Sequence, residues 1–123
     1  MSFTLEHKIN PPVVFEISDA KAGLTGWLAI DSTINNHSCG GLRIVPDTSA
    51  SEMMELAKVM TLKYGFLGLP HGGAKAGIFY DERLPRENKL ILLTAFGRKI
   101  KNFLSNRIYY CVCVNIYPTH CSS

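Results

Sequence analysis

The sequence lacks an apolar run long enough for a membrane helix. Its longest strongly apolar stretch, Ile108 to Tyr117, is about half of the ~20 residues that spanning requires. Its start, MSFTLEHKINPP, has neither the apolar segment nor the small-residue cleavage site of a secretory leader. Charge is sparse: Asp, Glu, Lys and Arg make up 19% of the 123 residues, against a usual ~25%. Disorder is still excluded, because 46% of the residues are hydrophobic, enough to offset the entropy of ordering. No G-x-G-x-x-G occurs, so the dinucleotide fingerprint is missing. The length is one domain's worth and leaves no room for a substrate domain plus a complete nucleotide-binding domain.

The four cysteines, Cys39, Cys111, Cys113 and Cys121, lack the C-x₂₋₄-C spacing that zinc sites favour. Cys111-x-Cys113 followed by His120-Cys121 is a loose likeness only, so no metal site is expected. A disulfide framework is not expected without a secretion signal. The expected compartment is the reducing cytoplasm, with no membrane partner.

What charge there is falls unevenly. Between Arg83 and Arg107 stand seven Lys/Arg and one acid, Glu87, whereas the chain before Arg83 carries six bases and nine acids. A basic stretch is one mark of nucleic-acid binding. Here it lacks the interleaved aromatics on which single strands stack, so it reads as the solvated face of a helix and no nucleic-acid partner is expected.

Along the chain, Val13 to Ile17 reads as a strand opened by Pro11-Pro12. Gly23 to Thr33 reads as a second, whose consecutive apolar Trp27, Leu28, Ala29 and Ile30 predict cover on both faces. Asn35 to Ser38 is a loop signal, and Leu42 to Val45 a short strand stopped by Pro46. Ser49-x-x-Glu52 is a capping box. The helix after it sets Met53, Leu56, Ala57, Met60 and Tyr64 on one face. Lys63 lies only about 20° around the helix from Leu56 and interrupts that stripe, either snorkelling off the helix end or aimed into a pocket. Five of the ten glycines then fall between Gly65 and Gly77, which reads as a loop, with a short strand at Ile78 to Tyr80. A second helix opens near Pro85 and runs to about Leu104, with Leu90, Leu93, Gly97, Ile100 and Leu104 on one face.

A lysine among glycines admits two kinds of chemistry. Phosphate binding by a P-loop needs G-x-x-x-x-G-K-[ST]. Gly68 and Gly73 have the spacing, but Ala74 follows Gly73, Lys75 is one residue late, and Ala76 replaces the magnesium-binding hydroxyl. The other chemistry is a positioned amine for acid–base or carbonyl work. Partial burial and nearby positive charge lower a lysine's pKa toward the working range. Lys63, twelve residues before Lys75, could bind a carboxylate and also depress Lys75. The plain alternative is two surface lysines beside a glycine turn.

From about Leu24 to Tyr110 the chain resembles the N-terminal domain of the glutamate/leucine/phenylalanine/valine dehydrogenases. The likeness is densest at Gly40-Gly41-Leu42-Arg43, at Met60-Thr61-Leu62-Lys63, and at Leu69-Pro70-x-Gly72-Gly73-Ala74-Lys75-x-Gly77, which is similar to the family's active-site signature. The resemblance implies an α/β fold, a small mixed sheet with helices packed on it and no Rossmann domain, serving as a dimerisation and substrate domain over residues 1–110. It implies Lys75 as the catalytic lysine in oxidative deamination of an L-amino acid to a 2-oxo acid and ammonia. Lys63 would meet the α-carboxylate, Gly40 and Gly41 would line the pocket through backbone groups, and Met60 would sit on the pocket side one turn before Lys63.

Two departures bear on substrate and one on completeness. Glutamate-specific members place a lysine where this chain has Cys39, and a polar residue where it has Met60, so the expected substrate shifts to an apolar or aromatic amino acid. Residues 111–123 match nothing in the family and read as a non-family tail, from a frameshift, an altered terminus or a truncated gene. With neither the family's catalytic aspartate nor its NAD- or NADP-binding domain in the sequence, the chain alone is expected to bind no cofactor and to be inactive. The alternative expectation is a non-catalytic fragment that assembles with its own copies or with full-length subunits.

Overall fold

The computed structural model describes residues 11–35, 37–105 and 110–112, with only the backbone described after Lys101. The apolar run in the second strand sets the architecture. In β2 (Leu24–Ile30), Leu28 and Ile30 point to one side of the sheet and Trp27 and Ala29 to the other, as strand alternation demands. Leu28, Ala29 and Ile30 are buried and Trp27 half-buried, so the expected cover on both faces is present. β1 (Val13–Asp19) forms an antiparallel hairpin with β2, from Val13 opposite Ile30 to Asp19 opposite Leu24.

Next come β3 (His37–Gly40), β4 (Leu42–Val45), α1 (Ala50–Leu67), β5 (Gly72–Phe79), α2 (Glu87–Ser105) and β6 (Tyr110–Val112). β5 is antiparallel to β2 on one side and parallel to β3 and then β4 on the other. The strand order is β1-β2-β5-β3-β6, with β4 continuing along β5 beyond β3. Parallel neighbours need a crossover, and α1 supplies it between β4 and β5. The fold is therefore α/β, a small mixed sheet with a helix on each face.

Helix α1 starts where its capping signal stands. Ser49 is extended (φ −151°, ψ 166°) and its hydroxyl accepts the Glu52 N–H at 3.2 Å, satisfying an amide that has no partner inside the helix. The Glu52 carboxylate turns to Arg43 instead (2.8 Å). The helix ends at Gly68, in the left-handed region (φ 74°), with Gly68 N–H donating to Gly65 O (3.1 Å) and Leu69 N–H to Tyr64 O (2.9 Å). Those two bonds form a Schellman cap. Met53 and Ala57 are buried against Ala29, with Trp27, Val14, Met54 and Leu56 around them. No helix of the described residues is long and apolar enough to cross a membrane.

Three expectations need correction. The glycine-rich segment is a strand that begins at Gly72, not a loop leading to a short strand at Ile78. Glycine disfavours strands by itself, but β5 is paired on both sides, and that pairing decides its conformation. The strand β3 covers His37 and Ser38, placed in the loop signal. Helix α2 is turned from its expected face: Ile100 is buried and Leu93 packs on the core as expected, but Leu92, Ala95 and Phe96 are buried beside them, whereas Leu90 is 66% exposed and Gly97 is exposed. Phe96 fills the space beside Gly26, where a Cβ would lie 3.2 Å from its ring. The basic residues Arg86, Lys89, Arg98, Lys99 and Lys101 are exposed, as a solvated helix face requires.

Phe96→Ala should lower the unfolding free energy by about 3–5 kcal/mol, the cost of an emptied aromatic site. Leu90→Ala should change it by less than ~0.5 kcal/mol. Urea melts of both variants test the corrected helix orientation.

Candidate active site

The face of β5 turned toward α1 carries Gly73, Lys75 and Gly77. The opposite face carries Ala74, Ala76 and Ile78, all buried in the core under α2. Alternation along one strand thus separates chemistry from scaffold. Gly73 lets α1 lie directly on the strand: a Cβ there would collide with the backbone of Ala57 and Thr61. Gly40 does the same between strands, since a Cβ there would strike the Ala74 carbonyl. Gly41, at the break between β3 and β4, offers its carbonyl to the Ala76 N–H at 2.9 Å.

Lys75 stands opposite Ala29, half-buried. Its amine is held below the ordinary value of 10.5, first by burial and then by the positive charges of Arg43 and Lys63. Burial disfavours the charged form, and like charges add to that. Arg43 is the register partner of Gly77 and so lies on the Lys75 side of the sheet. Glu52 of α1 anchors it. Lys63 is exposed on α1, close enough to act on Lys75, and Met60 is half-buried one turn before it. Cys39 is buried and pairs with Gly73 in register, which puts it on the same face. The structure therefore brings Cys39, Gly40, Gly41 and Lys75 onto adjoining strands, with Met60 and Lys63 on the helix that covers them.

Two residues in the quoted motifs carry contacts that sequence reasoning did not assign. One is Arg43. Its signal is its position two residues after Gly41, on the face of the strand that the lysine shares. The other is Thr61, whose hydroxyl donates to Asp31 Oδ2 at 2.7 Å and accepts the Gly73 N–H at 3.0 Å. Two further polar residues near β5 have defined neighbours. His71 is half-buried, edge-on to Tyr64 at 5.6 Å and 6.3 Å from the His37 ring. Asp81 binds its own turn: its carboxylate accepts from Arg83 at 3.0 and 2.8 Å and is lowered to about 2 by those bonds. Among the described residues no cluster of three His, Cys, Asp or Glu side chains suits a metal ion. Cys113, His120 and Cys121 lie outside the described residues.

Lys75 thus stands half-buried on a central strand, beside two further cations and under a helix. The model of the Glu/Leu/Phe/Val dehydrogenase dimerisation domain matches residues 11–108, and the chain belongs to that family. It is 34% identical over 102 residues to the NAD-specific glutamate dehydrogenase of Peptoniphilus asaccharolyticus, covering 82% of this chain and 24% of the relative. It is 33% identical over 98 residues to the valine dehydrogenase of Streptomyces virginiae, covering 76% and 26%. Among solved structures, a glutamate dehydrogenase from Peptoniphilus asaccharolyticus superposes with a TM-score of 0.70 at 32% identity, covering 94% of this chain and 31% of that one. The chain spans about a quarter of the length of these curated relatives.

Because the native Lys75 amine loses its proton below 10.5, the unfolded chain holds more protons between the native pKa and 10.5. The unfolding free energy should therefore rise with pH across that window. In Lys75→Met this rise should disappear, as read from urea midpoints at increasing pH. Gly73→Ala should cost about 1–3 kcal/mol or more, because the collision is with backbone and no rotamer relieves it; thermal melts measure it.

Proposed function

We propose that this chain forms the substrate side of an L-amino-acid dehydrogenase, interconverting an amino acid with its 2-oxo acid and ammonia. The observation that carries the reading is the half-buried Lys75 amine, held below its ordinary pKa between Arg43 and Lys63. Such an amine gives up its proton more readily than an ordinary lysine and can exchange it with the oxygen or water at the reacting α-carbon. Lys63, an exposed point charge, pairs with the α-carboxylate. Gly40 and Gly41 present backbone groups to the substrate. Orientation by the carboxylate places the α-carbon before Lys75, and such fixed geometry contributes much of the rate in two-point binding.

Cys39 and Met60 shape the side-chain end of the site. Neither is charged, so a second carboxylate has no partner there, and an apolar or aromatic side chain fits better than glutamate. These residues do not fit the NAD or NADP of the parent family. The crossover after β4 opens with Pro46-Asp47-Thr48-Ser49, which has no glycine and places an acid where a pyrophosphate would sit. The coenzyme would be held elsewhere in a complete enzyme, and this chain works in a reducing cytoplasm as one component of it.

A second reading, assembly without catalysis, is favoured by the outward face of α1. Val59, Leu62 and Phe66 are 54%, 73% and 90% exposed and follow one another at helical spacing. Such a stripe suits association with a second copy or a full-length subunit.

Calorimetry with phenylpyruvate, 3-methyl-2-oxobutanoate and 2-oxoglutarate tests the first reading. Binding should be lost in Lys63→Met, kept in Lys63→Arg, and shifted toward 2-oxoglutarate in Cys39→Lys. NADH oxidation with these acids and ammonia should be undetectable. Absence of any 2-oxo acid binding by the folded chain would sink the substrate reading and leave assembly, which light scattering and co-purification with a full-length homologue address.

A further inference from the structure

The two lysines belong to different elements, and something must fix the distance between them. Lys63 lies near the end of α1 and Lys75 in the middle of β5. Two residues before each lies one end of a hydrogen bond: Thr61 Oγ1 accepts the Gly73 N–H at 3.0 Å. The same hydroxyl donates to Asp31 Oδ2 at 2.7 Å and meets Ser32 Oγ at 3.0 Å. Asp31 in turn donates its own N–H to the Gly73 carbonyl at 2.8 Å. A hydroxyl has one proton and two lone pairs. Here the proton goes chiefly to the Asp31 carboxylate, with the Ala57 carbonyl one turn back a longer acceptor at 3.3 Å, and the lone pairs take the Gly73 amide and a second hydroxyl, so its bonding capacity is filled.

This node ties the helix, the central strand and the segment after β2 together at one point. Gly73 makes it possible, because only a residue without Cβ lets the Thr61 backbone come this close. We propose that Thr61 is a positioning residue, its hydroxyl holding α1 against β5 so that the Lys63 and Lys75 amines stand at a set separation. The proposal rests on the reading of these lysines as the carboxylate-binding and reacting amines. Its substance is that their spacing depends on one hydroxyl, not on apolar packing of the helix alone.

The charged groups that face Lys75 are Arg43 from β4 and Lys63 from α1. Glu52 from α1 is engaged with Arg43, and Asp31 after β2 is engaged with Thr61. Loosening the node should let Lys63 recede while leaving Arg43 in place. The Lys75 amine should then titrate closer to 10.5.

The test follows trinitrophenylation of Lys75 in the intact chain against pH, by peptide mass spectrometry. In Thr61→Val the Lys75 midpoint should rise by about half a pH unit, which lowers its labelling at neutral pH about threefold. Thr61→Ser should restore the original midpoint. Lys63→Met should raise the midpoint too, and adding Thr61→Val to it should raise it no further. A folded Thr61→Val with an unchanged midpoint would overturn the proposal, as would a Thr61→Val shift that persists without Lys63. Should Thr61→Val not fold, Asp31→Asn weakens the same node while keeping its shape, with a smaller shift expected and no shift again overturning the idea. No substrate enters the measurement, so its outcome stands apart from whether the chain binds 2-oxo acids.

Discussion

The contact on which this structure depends is backbone against backbone, where α1 crosses β5 at Gly73. A helix normally sits on a sheet through a layer of side chains. Here that layer is removed at one point, so the helix descends until Ala57 and Thr61 touch the strand itself. Much of what concerns Lys75 follows from that approach. The amine is partly desolvated because the helix is near, and Lys63 acts on it because the helix carries Lys63 toward it. The polar residues around Thr61 find partners at hydrogen-bond distance for the same reason. A wider helix–sheet gap would leave the same side chains exposed and electrically independent.

Holding three cations on one face costs stability, and the structure offsets part of that cost. Glu52 pairs with Arg43, which lessens the positive field at Lys75 without removing it. Glu52 is also the residue that the capping signal in the sequence points to, yet its carboxylate serves the sheet and not the helix start. The cap is completed by Ser49 alone, and the carboxylate remains favourably placed near the positive end of the helix dipole. One acid thus works at two levels, local and tertiary.

Much of this was legible in the sequence, for identifiable reasons. β1, β2, β4 and α1 announce themselves by proline starts, apolar runs and a capping serine, which are local signals. The pairing of Lys63 with Lys75 was legible from their spacing and from the motifs around them. β5 was not, because its glycines answer to a helix that sequence reading cannot yet place, and glycine alone reads as a loop. The face of α2 was partly misjudged because Leu90 is apolar but exposed, so periodicity counted it into the buried stripe and passed over Phe96. Arg43 and Thr61 went unassigned because their importance lies in contacts 9 and 12 residues away.

The alternation along β5 has an evolutionary consequence. Odd positions 73, 75 and 77 face α1, and even positions 74, 76 and 78 face the core under α2. Two kinds of selection therefore act on one strand with a period of two. Change at the even positions is felt in the core, whereas on the odd face positions 73 and 77 have no room for a side chain and position 75 alone carries one. A mutational library confined to one parity would explore only one of these landscapes. Changes of core packing along this strand are thereby kept apart from the face that carries Lys75.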